Sequence, residues 1–163
     1  MKKFLLALIL VAACSRTATT THTVPITPAP GKKPSAASST RSGDRMAGAA
    51  TAMGAVEEFL VAVKAQDIQA MSVLFGTSRG PARDNMDREE LEKRLIILQC
   101  YFSHDKFRIV DEFPGEGGHR VISVELTKGS NTRNPKFYAI AGPSNRFYVD
   151  NMEIAAVRDF CRK

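Results

Sequence analysis

A chain of 163 residues has room for one domain with appendages, and an apolar share of 44% is ordinary for a packed globular fold. The net charge of +6 is unevenly placed: Lys2 and Lys3 give two positive charges, and residues 14–45 give four more through five basic groups and one acid. From position 46 onward sixteen basic and sixteen acidic residues cancel, so the domain lacks the basic excess that nucleic acid requires and binding to it is set aside.

Met1-Lys2-Lys3 is a positive n-region, and Phe4 to Ala13 is an unbroken apolar run. At about 10 residues it is roughly half of what a bilayer span needs, so residues 1–13 read as a signal peptide and not as a transmembrane helix. Val11-Ala12-Ala13-Cys14 resembles the lipobox of bacterial lipoproteins, with a branched apolar residue and two small ones before a cysteine. The resemblance implies that the Cys14 thiol carries a palmitate-type acyl chain, that cleavage falls before it, and that the new N-terminus is acylated too. Each buried methylene contributes about 0.8 kcal/mol and stable anchoring takes more than one chain, which a multiply acylated Cys14 provides. Ser15, and not Asp, follows the cysteine. By resemblance to enterobacterial sorting, that favours the outer membrane, facing the periplasm, if the source is a diderm.

Residues 14–45 comprise the lipidated cysteine and a stretch rich in Thr, Ser, Pro and Ala, with Val24 and Ile26 the large aliphatics. Such a stretch buries too little apolar surface to offset its ordering entropy and is expected to be a disordered tether. A flexible coil of this length averages ~30 Å and reaches at most ~95 Å, enough to hold a domain off a membrane surface.

Residues 46–163 read as the domain. Ala49, Met53, Val56, Leu60 and Val63 repeat at helical spacing from 46 onward. Asp67 is placed to cap a second helix through Met71 and Phe75, and Gly76 to stop it in a left-handed conformation. Residues 76–86 read as a loop. Asp87 and Glu90 form a variant capping box for a third helix with Leu91, Leu95, Leu98 and Phe102 buried, and with Glu89–Lys93 and Glu90–Arg94 pairs outside. The period then changes to two. Phe107 and Ile109 mark one strand, Pro114 to Gly118 a turn, and Ile122, Val124 and Leu126 a second strand. A polar loop spans 128–135. Phe137 to Ala141 and Arg146 to Val149 read as two further strands joined by a tight turn at Gly142-Pro143-Ser144-Asn145. Ile154, Val157 and Phe160 return to helical spacing near the end.

Helices followed by an antiparallel meander give an α+β fold, with the N-terminal helices packed on one face of a curved sheet. Ala55 to Leu60, Lys64 to Asp67 and Met71 to Phe75 resemble the opening of nuclear-transport-factor-2-like (cystatin-like) domains. The resemblance implies a cone-shaped sheet whose mouth is closed by three helices, and it implies little about activity.

With Cys14 acylated, Cys100 and Cys161 remain as a pair, and outside the cytoplasm such a pair tends to oxidise. A bridge would pin the C-terminal segment to the helical layer. No Cys-x-x-Cys, Gly-x-Ser-x-Gly or histidine pair at i,i+4 spacing is present, so redox, serine-nucleophile and zinc chemistry have no motif. No cofactor or metal is expected, and no catalytic residue is assigned. His104 beside Asp105 reads as a solvated strand entry, and His119 as a turn residue. Gly115 to Gly118 lies in a hairpin turn and not before a helix, so it fails the context test for a phosphate loop. Arg79, Arg83 and Arg146 read as solvated loop residues, with an anion-binding rim as the sharper alternative.

The expectation is a membrane-anchored envelope lipoprotein whose domain is a non-catalytic binding module for a small apolar ligand or an envelope protein. The alternative is an isomerase- or cyclase-like enzyme. Ketosteroid isomerase, in the same superfamily, places an Asp base and a Tyr inside the cone, and Asp111, Tyr138 and Tyr148 are the residues that would serve here.

Overall fold

Thr51 starts the first helix. Its backbone is extended, and its hydroxyl accepts from the Gly54 N–H at 3.0 Å, satisfying one of the donors a helix N-terminus leaves free. A computed structural model describes residues 46–162; the signal-peptide segment, Cys14 and the tether lie outside the described residues. Helix α1 (Ala52–Ala65) begins later than the apolar spacing suggests, because Ala49 is taken by a bridge to Phe147. The buried stripe is accordingly rotated. Ala52, Ala55, Val56, Phe59, Leu60 and Val63 face inward, while Met53 is 39% exposed.

Asp67 caps α2 (Ile68–Leu74) as expected, its carboxylate accepting from the Ala70 N–H at 2.9 Å. Gly76 has a different task from the one its position suggested. Phe75 ends the helix in extended backbone, and Gly76 opens a two-residue strand, β1 (Gly76–Thr77), paired with β2 (Gly80–Pro81). A Cβ on Gly76 would overlap the Gly80 carbonyl, so the glycine is required by close approach and not by a left-handed φ.

Helix α3 (Arg88–Tyr101) is capped by Asp87, whose carboxylate accepts from the Glu89 and Glu90 N–H groups at 2.9 and 3.0 Å. Leu91, Leu95, Leu98 and Phe102 are buried, and both i,i+4 ion pairs form on the wet side.

Five strands make the main antiparallel sheet: β3 (Lys106–Pro114), β4 (Arg120–Lys128), β5 (Asn131–Arg133), β6 (Lys136–Ala141) and β7 (Phe147–Met152). Their order is β3-β4-β6-β7, with β5 also on β4. β5 pairs with residues 126–128 of β4 and β6 with residues 120–123, so the two follow one another along β4, interrupted where Pro135 has no N–H to give. Ile122, Val124, Leu126, Phe137, Ala139 and Val149 present the apolar face of the sheet. Helix α1 crosses it in contact with β3, β4, β6 and β7, while α3 packs on α2 and on a C-terminal 3-10 helix (Ile154–Cys161). The ring of Phe102 meets that of Phe137 at 5.0 Å, joining the end of α3 to β6. Completely buried aromatics such as these contribute about 1.5–3 kcal/mol each. The protein is thus α+β, with four helices and a five-stranded antiparallel sheet. Cys100 and Cys161 come to disulfide-bonding distance, with Cα atoms 5.1 Å apart, at the junction of α3 with the C-terminal helix.

Candidate functional site

On α3, residues 90, 93, 94, 97 and 98 share one face by helical spacing. On β7, the alternation of Tyr148 and Val149 breaks at Asp150: Val149 pairs with Ala139 and Asn151 with Tyr138, leaving Asp150 as the extra residue of a bulge. The Met152 N–H is closed by the Asn151 side-chain oxygen at 2.8 Å. Between this stretch of β7 and the α3 face lies a groove of about 470 Å³. Phe75, Leu98, Met152 and Ile154 supply apolar walls, and Ile97, 54% exposed, adds to them at the rim. The volume falls within the ~300–1,000 Å³ typical of small-molecule sites.

Four charged side chains line the groove, and each already has a partner. Lys93 donates to Glu89 at 2.7 Å and Arg94 to Glu90 at 3.1 Å. Asp150 meets His119 Nε2 at 2.7 Å, while His119 Nδ1 faces the Glu116 carbonyl at 2.9 Å. With acceptors at both ring nitrogens, the imidazole is best satisfied as imidazolium. The Asp150 carboxylate holds His119 above its ordinary value of 6.5, outweighing burial and helped by the Glu116 carbonyl. The groove therefore offers apolar surface edged by compensated charge.

Asp111 does not enter an interior site. It is exposed on β3, with its carboxylate accepting from the Glu112 N–H at 2.8 Å. Tyr138 pairs with Val121, on the sheet face opposite Ile122 and Phe137. Tyr148 pairs with Ile140, packs over Gly48 and Gly142, and has its phenol pushed up by burial. The carboxylate on the Ile122 side of the sheet is Glu112, which accepts from Arg120 at 2.8 Å. The arginines do not converge: Arg83 meets Asp84, Arg146 donates to the Ala47 and Gly48 carbonyls, and Arg79 is exposed.

His104 differs from its expected place. It is only 7% exposed, because its ring packs edge-on against Phe107 and its Nδ1 donates to the Phe102 carbonyl at 2.8 Å. Burial, and secondarily Lys64, lowers its pKa against the pull of the Phe102 carbonyl and Asp105. Asp105 turns away to accept from the Gly129 N–H at 2.7 Å. His119 does sit in the β3–β4 turn, as read, but its partner lies 31 positions on. The broken alternation at Asp150-Asn151 was the available sign of a bulge there.

No group of three or more metal-binding side chains gathers among the described residues, and no described helix is long and apolar enough to cross a membrane. Comparison of the chain with models of known families, with curated proteins and with solved structures finds no match.

Proposed function

We propose that this protein is a lipid-anchored envelope module whose domain binds a small, uncharged, largely apolar ligand in the groove between α3 and β7. The observation that carries the ligand reading is the pairing of every charge that lines an otherwise apolar groove. A charged ligand would have to share its counter-charge with Glu89, Glu90 or His119, which lowers its gain, whereas an apolar one gains burial at about 25 cal/mol per Å² without involving them. The anchor rests on Val11-Ala12-Ala13-Cys14. The order of two helices, a hairpin, a third helix and then an antiparallel meander supports a nuclear-transport-factor-2-like frame for the domain. Among the described residues, Asp111, Tyr138 and Tyr148 do not converge as the enzymatic reading would need.

Titration of the full chain with the neutral fluorophore N-phenyl-1-naphthylamine tests the groove. Ile97→Asp replaces an apolar wall by a carboxylate at the rim and is expected to weaken binding about fivefold or more, since a polar group set against apolar surface costs about 1–3 kcal/mol. Val61→Asp, at an equally exposed apolar position on α1, is expected to bind as the parent does. Equal binding by parent and Ile97→Asp sinks the reading. Stoichiometric capture of a folded protein at Ile96 and Ile97, with no fluorophore bound, would replace the small ligand by a protein partner.

A further inference from the structure

Away from the groove, the ends of α1 and α3 border a second cavity of about 310 Å³ that is open to solvent on one side, lined by Lys64, Gln66, Gln99, Ser103 and His104 among others. Among the described residues, two buried side-chain polar atoms have no hydrogen-bond partner, His104 Nε2 and Gln99 Nε2, and both residues line this cavity. Buried polar atoms without partners are rare and costly, so two in residues that line one cavity call for an explanation. The cavity far exceeds the ~15 Å³ that a single bridging water needs.

The polarity of the two atoms defines what fits them. His104 Nδ1 donates to the Phe102 carbonyl at 2.8 Å, which leaves Nε2 as a lone-pair acceptor. The Gln99 amide nitrogen is a donor. A carboxylate has no proton to give His104, and the C-terminal ends of α1 and α3 disfavour any anion, hydrogen phosphate included. Lys64 disfavours a cation; its ammonium already donates to the Asp105 carbonyl at 2.6 Å. A neutral hydroxyl both donates and accepts. We propose that this cavity is a binding site for an uncharged polyhydroxylated ligand of the sugar or polyol class, with one hydroxyl donating to His104 Nε2 and a ligand oxygen accepting from the Gln99 amide. Both atoms are shielded from the open cavity, so a ligand reaches them only when a side chain turns. Gln99, half-exposed on α3, is the one free to turn at small rotamer cost.

The test is a long-range ¹H–¹⁵N spectrum of the imidazoles, with the Gln99 side-chain amide followed in parallel, on the full labelled chain. The probes are methyl β-glucoside, glycerol and inorganic phosphate. The expected result is an Nδ1–H tautomer for His104, and a saturable shift of its Nε2 and of the Gln99 amide with methyl glucoside or glycerol but not with phosphate. Gln99→Leu, a substitution at the surface of α3, is expected to weaken that response about tenfold with the fold intact. His104→Phe should abolish the Gln99 shift. A response to phosphate would overturn the proposal in favour of an anion site. So would no response to either polyol, or a long-lived internal water at His104 that the polyols do not displace.

Discussion

His119 and His104 respond to acid in opposite directions. The pKa of His119 is raised in the folded state, chiefly by Asp150, so its stabilisation is complete below the unfolded value of 6.5 and fades as pH climbs through the raised folded value. The pKa of His104 is lowered by burial, so its contribution is present above 6.5 and is lost as pH falls through the lowered folded value. The two partly cancel in the parent protein. His119→Gln should therefore lose stability more steeply than the parent between pH 7 and 5, as read from urea midpoints, and His104→Phe should lose it less steeply. Asp150→Asn should show its largest deficit at pH 5.5 and a smaller one at pH 9. Parallel pH profiles for all four proteins would show that neither imidazole is coupled to folding.

The C-terminal 3-10 helix buries little beyond Val157 and Phe160, so it depends on ties to its neighbours. Lys128 donates to the Phe160 carbonyl, Arg133 meets Asp159, and Cys161 reaches Cys100. In the chain-entropy model a crosslink spanning 61 positions stabilises by about 4 kcal/mol, so Cys161→Ser is expected to shift the oxidised protein by that order and leave the reduced protein almost unchanged. Equal unfolding midpoints for the oxidised parent and Cys161→Ser would show that the two sulfurs are not joined. Several elements were legible in the chain: α3 lies where Leu91, Leu95 and Leu98 put it, β4 where Ile122, Val124 and Leu126 put it, and α2 and β6 where Met71 and Phe75 and the run Phe137 to Ala141 put them. Asp67 and Asp87 cap as their positions indicated. The misses share a cause in tertiary pairing. β5 is Asn-Thr-Arg, polar throughout, and becomes a strand because β4 presents unpaired backbone to it. β1 and β2 are two residues each, too short for any period. The groove and its His119–Asp150 pair join segments far apart in the chain, so no local spacing could announce them.

For the molecule as a whole, the uneven charge and the cysteine at 14 bear on location more than on chemistry. Cys14→Ser is expected to move the protein from the membrane to the soluble fraction and to abolish incorporation of labelled palmitate in a bacterial host. Retention of label in that variant would exclude Cys14 as the acylated residue. Residues 46–49 also fix how the domain receives its chain. Ala49 exchanges backbone hydrogen bonds with Phe147 at 2.8 and 2.9 Å, the Gly48 N–H donates to the Val73 carbonyl at 2.8 Å, and Arg146 clasps the carbonyls of Ala47 and Gly48. Any tension transmitted along the backbone from residue 45 meets this short strap before it reaches α1. In mechanical terms the strap is placed as a fuse: its few hydrogen bonds to Phe147, Val73 and Arg146 are the first that such a load would test, ahead of the apolar layer between α1 and the sheet.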